Sequence, residues 1–403
     1  MAGGHHRFDV LIVGGGIAGS TLGRSLAQSG IHVLIVEKEN AFRDRVRGEV
    51  VQPWGSVEAK ELDIYEPLLT TCGREAPRQI FVLNGKAAPA RDFLTSTPKQ
   101  TCVLSFFHPA MQEELANLAQ GAGVEIWRGA SFRSIRPGDV PEAEVSVAGE
   151  LRRVSARLIV GADGRDSIVA TQLGFERQNT PQELFTMGLQ LSGELPVEQA
   201  IYFFLHGSTG RGAILIQNGP RNYRIYLLHH KDALPRRLSG ERDYAAALQH
   251  FVELGVPAEW LACASPHGVM ATFDGAFRWI TAPARGNCVL IGDAAGTTDP
   301  VWGNGLSRTL RDVRLLRDRL LNDSNWQAAG EAYAADHDDF FHRLRRAEQF
   351  NATLQFSMGE DAEARRMRAF KLMARDPELS LDISGLGPEN RYSERTAQLL
   401  LSA

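Results

Sequence analysis

A buried strand running straight into a glycine-rich turn constrains this chain more than any other feature. Phe8 to Val13 reads FDVLIV, apolar on both faces, which suits a strand inside a parallel sheet. Gly14-Gly15-Gly16-Ile17-Ala18-Gly19 follows. Ile17, Leu22 and Leu26 then recur at helical spacing as far as Ser29, with Gly30 placed to end the helix. Ile31 to Val36 is a second buried strand, so this stretch is one βαβ-type unit. Gly14 permits the tight turn, Gly16 lets the backbone approach a pyrophosphate, and Gly19 lets helix pack closely on strand. The first helical residues, Ile17 and Ala18, would turn unpaired N–H groups and the positive end of the helix toward the phosphates. Glu37, next to Lys38, ends the second strand about 20 residues on, where a carboxylate suits the ribose hydroxyls of an adenosine. A carboxylate there also disfavours a 2′-phosphate, so the site selects FAD or NAD over NADP.

Beyond this unit, Pro109 to Gln120 reads as a helix, and Val145 to Val160 as two strands. From Leu184 to Leu228 the segments LFTMGLQL, AIYFFLH, GAILIQN and YRIYLLHH are aromatic and β-branched, separated by Gly, Pro and Asn, which predicts an antiparallel sheet. Cys288 to Ile291 returns to the buried-strand pattern, and Leu306 to Leu321 is a helix. After Trp326, the residues Phe340, Leu344, Ala347 and Leu354 keep helical spacing, 359–375 reads as an exposed charged helix, and the last ~25 residues as a packed arm or a partly ordered tail. The fold class expected is therefore α/β: a discontinuous Rossmann-type domain (1–76, 101–182 and 275–325), an inserted β-rich substrate domain (77–100 and 183–274) and a C-terminal helical region (326–403).

At 403 residues with a net charge of −4, the chain offers no electrostatic reason to bind nucleic acid. Its apolar runs are far shorter than the ~20 residues a membrane span needs, and its N-terminus lacks the pattern of a secretory signal. Cys72, Cys102, Cys263 and Cys288 form no CxxC pair and no zinc spacing. No metal site is expected, and the cysteines read as free buried thiols of a cytoplasmic protein.

Two further stretches carry chemistry. In ARLIVGADGRDS, Asp163-Gly164 ends a buried strand; taken alone it could equally be a plain Asp-Gly turn. In NCVLIGDAAGTTDPVWGNGLSRTLRDVRLL a buried strand ends at Gly292-Asp293, followed by Pro300, then Gly303-Asn304-Gly305 and a helix beginning around Leu306. Asp293 is placed to accept hydrogen bonds from sugar-alcohol hydroxyls. The helix start would aim its positive end at whatever lies beyond the loop, which would stabilise a reduced flavin.

Together the ordered motifs GxGxxG with Glu37, GADG, and GDAAG…DP…GNGL resemble the FAD-dependent monooxygenases of the para-hydroxybenzoate hydroxylase fold, whose relatives include squalene-epoxidase-like enzymes, halogenases and geranylgeranyl reductases. The resemblance implies that Asp163 links FAD and nicotinamide binding and that Asp293 holds the ribityl chain. Arg47-Gly48-Glu49 with Gln52-Pro53 resembles the segment that brings an Arg to the flavin; otherwise Arg47 is a solvated charge in the run Arg43, Arg45, Arg47. The chain departs from the family pattern at His108 and Ala170, where an Arg is common, and at Gly296, where a His is common; Gln112 is then expected to take over a flavin contact.

The resemblance implies that FAD, with NADPH or NADH as transient reductant, forms a C4a-hydroperoxide with O2 that hydroxylates or epoxidises a hydrophobic, aromatic small molecule. The alternatives are a double-bond reductase of the geranylgeranyl type, toward which Gly296 leans, and a halogenase; the W-x-W-x-I-P signature of tryptophan halogenases is absent. Pro300 should lie beside the isoalloxazine. Phe185, Met187, Tyr202, Phe204, His206 and Tyr226 are candidate pocket residues, with His206 a candidate general base. The C-terminal helices should cover the FAD domain or form a homodimer contact.

Overall fold

A computed structural model describes residues 5–390 and 392–402; residue 391 of the C-terminal arm and residues 1–4, where the reading of the N-terminus starts, lie outside them. Along the chain run β1 (His5–Val13), α1 (Ile17–Gln28), β2 (Val33–Glu37), α2 (Pro53–Glu61), β3 (Arg78–Leu83), β4 (Val103–Phe106), α3 (His108–Gly121), β5 (Glu125–Arg128), β6 (Ala130–Arg136), β7 (Glu142–Val147), β8 (Glu150–Gly161) and α4 (Ile168–Gln172). Then come β9 (Leu184–Gly193), β10 (Ala200–His206), β11 (Arg211–Gly219), β12 (Asn222–His230), α5 (Tyr244–Glu253), α6 (Ala258–Ala262), β13 (Ala264–Asp274), β14 (Cys288–Leu290), α7 (Gly305–Asn322), α8 (Trp326–Phe356), α9 (Glu360–Arg375) and α10 (Glu394–Ser402).

The first sheet has the order β6-β7-β8-β1-β2-β5, and β14 pairs with the far end of β8. The central pairings β8–β1–β2–β5 and β8–β14 are parallel. Parallel strands are buried on both faces, and β1 shows why the sequence pattern is continuous. Val10 and Ile12 pack with Leu22 and Leu26 of α1, Leu115 of α3 and Leu310 of α7, while Leu11 and Val13 pack with Ile159, Val169 and Leu290 on the other side. Because β1, β8 and β14 run in the same direction, Gly14, Asp163 and Asp293 emerge together at their C-terminal ends, where open α/β sheets bind ligands.

The second sheet has the order β13-β9-β12-β11-β10-β3. It is antiparallel except for β3, which joins β10 in parallel. Residues 77–100 thus contribute to this sheet although they precede α3 in the chain. One sheet face packs against α5 and α6: Met187, Leu189, Tyr202, Phe204, Ile225 and Leu227 meet Ala247, Phe251 and Leu261. The other face, with Phe203, Leu205, Tyr226 and Leu228, packs against Val46, Val301, Trp302 and Phe356.

Helix α8 lies over α7 and the first sheet, and Tyr333 Oη donates to Leu290 O at 3.0 Å. The C-terminal region therefore covers the dinucleotide-type half. Helix α9 is not simply an exposed charged helix: Ala362, Arg366 and Ala369 are buried, and Arg366 donates to Leu354 O (2.9 Å) and Ser357 O (2.7 Å), tying off the end of α8. A charged residue that satisfies helix-terminal carbonyls can be buried at low cost. The thiols depart from expectation at two positions, since Cys263 is exposed and Cys72 only half-buried; all four cysteines are free. Among the described residues no helix is long and apolar enough to cross a membrane, and no cluster of His, Cys, Asp and Glu could hold a metal.

Candidate active site

The turn after β1 is a cradle with little spare room except at one glycine. Gly14 has φ +106°, and a Cβ there would collide with Ala162 O; a Cβ on Gly19 would collide with Gly14 O. At Gly16 the nearest atom a Cβ would meet is Gln112 Nε2, at 3.6 Å, so its Cα faces open space that Gln112 borders. Ile17 and Ala18 open α1 with no side-chain cap on their N–H groups. An uncapped helix start beside an open glycine is what a pyrophosphate needs. Glu37 is buried at the end of β2. Its Oε2 accepts Gly15 N–H and its Oε1 accepts Glu39 N–H, each at 2.8 Å. These bonds fix the carboxylate at the mouth of the turn, while neighbouring Lys38 is exposed.

Asp163 touches this turn through its backbone, since a Cβ on Gly14 would lie 3.0 Å from Asp163 Cα. Its Oδ2 accepts Ile168 N–H (2.7 Å) and Val169 N–H (3.2 Å), capping α4, while Oδ1 is buried without a partner. Burial raises the Asp163 carboxyl above its ordinary range, against the pull of Ser167 and the helix N–H groups. So the Asp-Gly turn does structural work, and one oxygen is left over. Ala170 is fully buried in α4, which leaves no room for the Arg common at that position.

Asp293 leaves β14 through Gly292, whose φ is +60°. The carboxylate is held by Arg308 Nη2 at 2.9 Å. Arg308 is fully buried and also donates to Gly292 O (3.2 Å) and Asp312 (3.0 Å); Asp312 accepts Gly292 N–H (3.0 Å) and bonds His337 Nδ1 at 2.7 Å. This chain runs from the loop through α7 to α8. Sequence reading missed Arg308, Asp312 and His337, because α7 and α8 carry many charges and nothing local marks the buried ones.

The loop beyond Asp293 bends back to start α7. Pro300 is half-buried in the turn 300–302, where Asp299 Oδ1 accepts Val301 N–H at 3.0 Å. Gly303 has φ +65°, and a Cβ there would press on Val50 and Gln52. Asn304 differs from expectation: its side chain is fully buried, accepting Trp54 Nε1–H (2.9 Å) and donating to Glu348 (2.7 Å), so only its backbone can face a ligand. Burial raises the Glu348 carboxyl well above its ordinary range, with Asn304 working against this and Asp299 adding to it. Gly305 and Leu306 start α7 with no side-chain cap, and the hydroxyls of Thr297 and Thr298 nearby are buried without partners. Gly296 is explained by packing, since a Cβ would lie 3.0 Å from Phe341, whose ring occupies the space a His would need.

The segment 44–49 and His108 close the other side. Loss of hydration lowers the Arg47 guanidinium, and Asp293 across the cleft works against it. His108 starts α3, with Nδ1 2.7 Å from Gly48 O. Loss of hydration pushes the imidazole down to about 4, opposed by the Gly48 carbonyl and assisted by Arg47. It is neutral at pH 7. Glu49 is fully buried: it takes two bonds of 3.0 Å from Arg224 and one of 2.7 Å from Asn218, and Arg224 reaches Asp44 at 2.8 Å. Tyr226 Oη donates to Arg47 O at 3.0 Å.

Sheet parity sorts the candidate pocket residues. Tyr226 faces the cleft. Phe185, Met187, Tyr202 and Phe204 do not, because they point to the α5–α6 side or share its strand face. His206 pairs in register with Arg211, whose guanidinium reaches Glu253 of α5 at 3.0 Å, so it too belongs to the far face. The alternation along a strand is visible in sequence; which face meets the cleft is not.

The donor set fits a dinucleotide with a flavin end. It holds an open Gly16 cradle, a fixed Glu37, partnerless polar atoms on Asp163, Thr297 and Thr298, and an uncapped helix start beside Asp293. The FAD binding domain family model matches residues 7–350. The chain is 25% identical to 6-methylpretetramide 4-monooxygenase of Streptomyces rimosus, covering 92% of this chain and 89% of that one. It is also 25% identical to digeranylgeranylglycerophospholipid reductase 1 of Methanococcoides burtonii (75% and 72% covered). The crystal structure of p-nitrophenol 4-monooxygenase from Pseudomonas putida DLL-E4 superimposes with a TM-score of 0.82 at 18% identity, covering 96% of this chain and 100% of that one. Sequence and architecture agree that this chain belongs to the FAD binding domain family and is an FAD-dependent oxidoreductase with the para-hydroxybenzoate hydroxylase fold.

Proposed function

We propose that this protein is an NAD(P)H-dependent monooxygenase that hydroxylates or epoxidises a hydrophobic, aromatic small molecule. The observation that carries the reading is the roof over the cleft. Tyr226 bonds the backbone of Arg47, a Cβ on Gly188 would collide with Val46, and Arg224 locks Glu49 and Asp44 beneath the sheet. A sheet clamped this closely over the flavin side excludes water, which oxygen transfer to carbon requires.

In this reading Gly14, Gly16, Gly19 and the start of α1 hold the pyrophosphate, Glu37 the adenosine ribose, and Asp293 the ribityl hydroxyls. The N–H groups of Gly303 to Leu306 would hold the pyrimidine end of the flavin, where the helix dipole favours negative charge. Arg47, neutral His108 and Gln112 border the ring, and Pro300 lies beside it. Bound FAD would supply the two-electron redox chemistry between NAD(P)H and O2. The balance is substrate–H, O2, NAD(P)H and a proton giving substrate–OH, water and NAD(P)+. The reductant approaches across the polar groove of about 420 Å3 that holds Arg177, Asp274 and Arg278, since Arg165, just after the Asp163-Gly164 turn, lies 3.9 Å from Asp274. His206 has no part in this scheme.

Incubation with NADPH or NADH, 18O2 and a panel of phenols and polycyclic aromatics should put one labelled oxygen into product. The second reading is a double-bond reductase, favoured by the methanogen relative; Gly296, set by its packing against Phe341, does not discriminate. Anaerobic reduction of a prenyl double bond, with no label incorporated under air, would select it. Products that depend on added bromide or chloride would select a halogenase.

A further inference from the structure

One cavity has no part in this scheme. It lies between α8 and the two crossings that join the sheets, is a half-open hollow of about 320 Å3, and has an apolar wall of Leu184, Phe277, Ala352 and Phe356. Asp299, 4% exposed, is the buried carboxyl of a polar lining that also holds Thr180, Gln349, Thr353 and the His230–Glu183 pair. Asp299 Oδ1 takes the Val301 N–H, and among the described residues Oδ2 accepts nothing. Gly275 makes room for this carboxyl, since a Cβ there would lie 2.8 Å from Oδ1. The nearby cations are engaged elsewhere: Lys231 and His230 on Glu183, and Arg278 on Asp274. A buried carboxyl with a free oxygen and no counter-ion, beneath an apolar wall, is costly unless something donates to it.

We propose that this cavity binds an amphipathic small molecule, a fused-ring aromatic body carrying a primary ammonium that donates to Asp299. Dry cavities of about 150 Å3 admit a benzene ring, so this one admits a bicycle. The ammonium supplies the donor that Oδ2 lacks and the charge that Asp299, with Asp274 and Glu183 close by, does not find in the protein. The cavity adjoins the flavin cleft: Asp299 precedes Pro300, and Leu184 and Phe356 share one apolar cluster with Tyr226 and Trp302.

The test is calorimetric titration of the FAD-loaded protein at about pH 8, where the carboxyl is ionised, with tryptamine and with 3-ethylindole, which lacks the amine. Tryptamine should bind about tenfold or more tightly. Asp299→Asn should remove that advantage and leave 3-ethylindole unchanged. Ala352→Trp, whose ring would fill the cavity, should abolish binding of both, and it serves as the test if Asp299→Asn does not fold. Equal affinity for the two probes, no binding of either at millimolar concentration, or undiminished binding to Ala352→Trp would overturn the proposal.

Discussion

Arg308 is the residue on which the loop after β14 most depends. It is fully buried, and its contacts to Asp293, Asp312 and Gly292 O hold the strand end, the loop and α7 in one register. Removing one member of a buried ion pair costs about 3–5 kcal/mol because the other is left uncompensated. Arg308→Met should therefore lose stability of that order in urea denaturation and bind FAD more weakly. A loss under about 1 kcal/mol with unchanged affinity would show that the loop is held by its backbone alone. Gly16→Val should yield protein that folds but is purified colourless, because its side chain enters the space beside Gln112; a fully yellow variant would move the pyrophosphate elsewhere. Asp299 governs a pH effect. Burial pushes its carboxyl up to about 7, with the Val301 N–H opposing and Asp274 adding to the rise. The folded state then holds a proton that the unfolded chain releases near pH 4, so stability falls as pH rises from about 4 to about 7. Asp299→Asn should flatten that decline by a few kcal/mol; an unchanged slope in pH-dependent unfolding would mean the carboxyl is ionised throughout.

At the scale of elements, what could be read was local. The β1–α1–β2 unit is contiguous, its glycines have single physical explanations, and its strands are apolar on both faces, so the cradle was legible before any coordinates. Asp163 and Asp293 were legible as strand ends, because parallel strands deliver their C-termini to one edge. The contacts that hold these ends in place were not. Glu49 and Arg224 are 175 residues apart, and Arg308 is one of many charges on α7. His206 failed for a related reason, since the alternation of β10 was clear but its packing partner was not. Helix contacts add a separate prediction. A Cβ on Gly55 of α2 would collide with Ser307 of α7, so Gly55→Ala should cost about 1–3 kcal/mol by forcing the helices apart. A thermal midpoint equal to that of the parent would show that the pair can slide.

For the whole molecule, the division of labour follows from the two sheets. The parallel sheet presents Gly14, Asp163 and Asp293 along one edge, and the antiparallel sheet lowers an apolar and aromatic face onto them, clamped by Tyr226 and by the Asp44–Arg224–Glu49 cluster. Helix α8 backs the arrangement, with His337 bonded to Asp312 of α7 and Glu348 to Asn304 at the start of α7. On the proposed function, this enclosure protects the reduced cofactor from water while it reacts with oxygen. The direct measurement is to reduce the FAD-loaded protein without air, mix it rapidly with oxygenated buffer, and follow the flavin absorbance. The account predicts two resolved phases, a fast one set by oxygen concentration and a slower one that restores the oxidised spectrum. A single oxygen-dependent phase that returns oxidised flavin directly, with or without aromatic ligands, would contradict it and place the chain with the reductases of this fold.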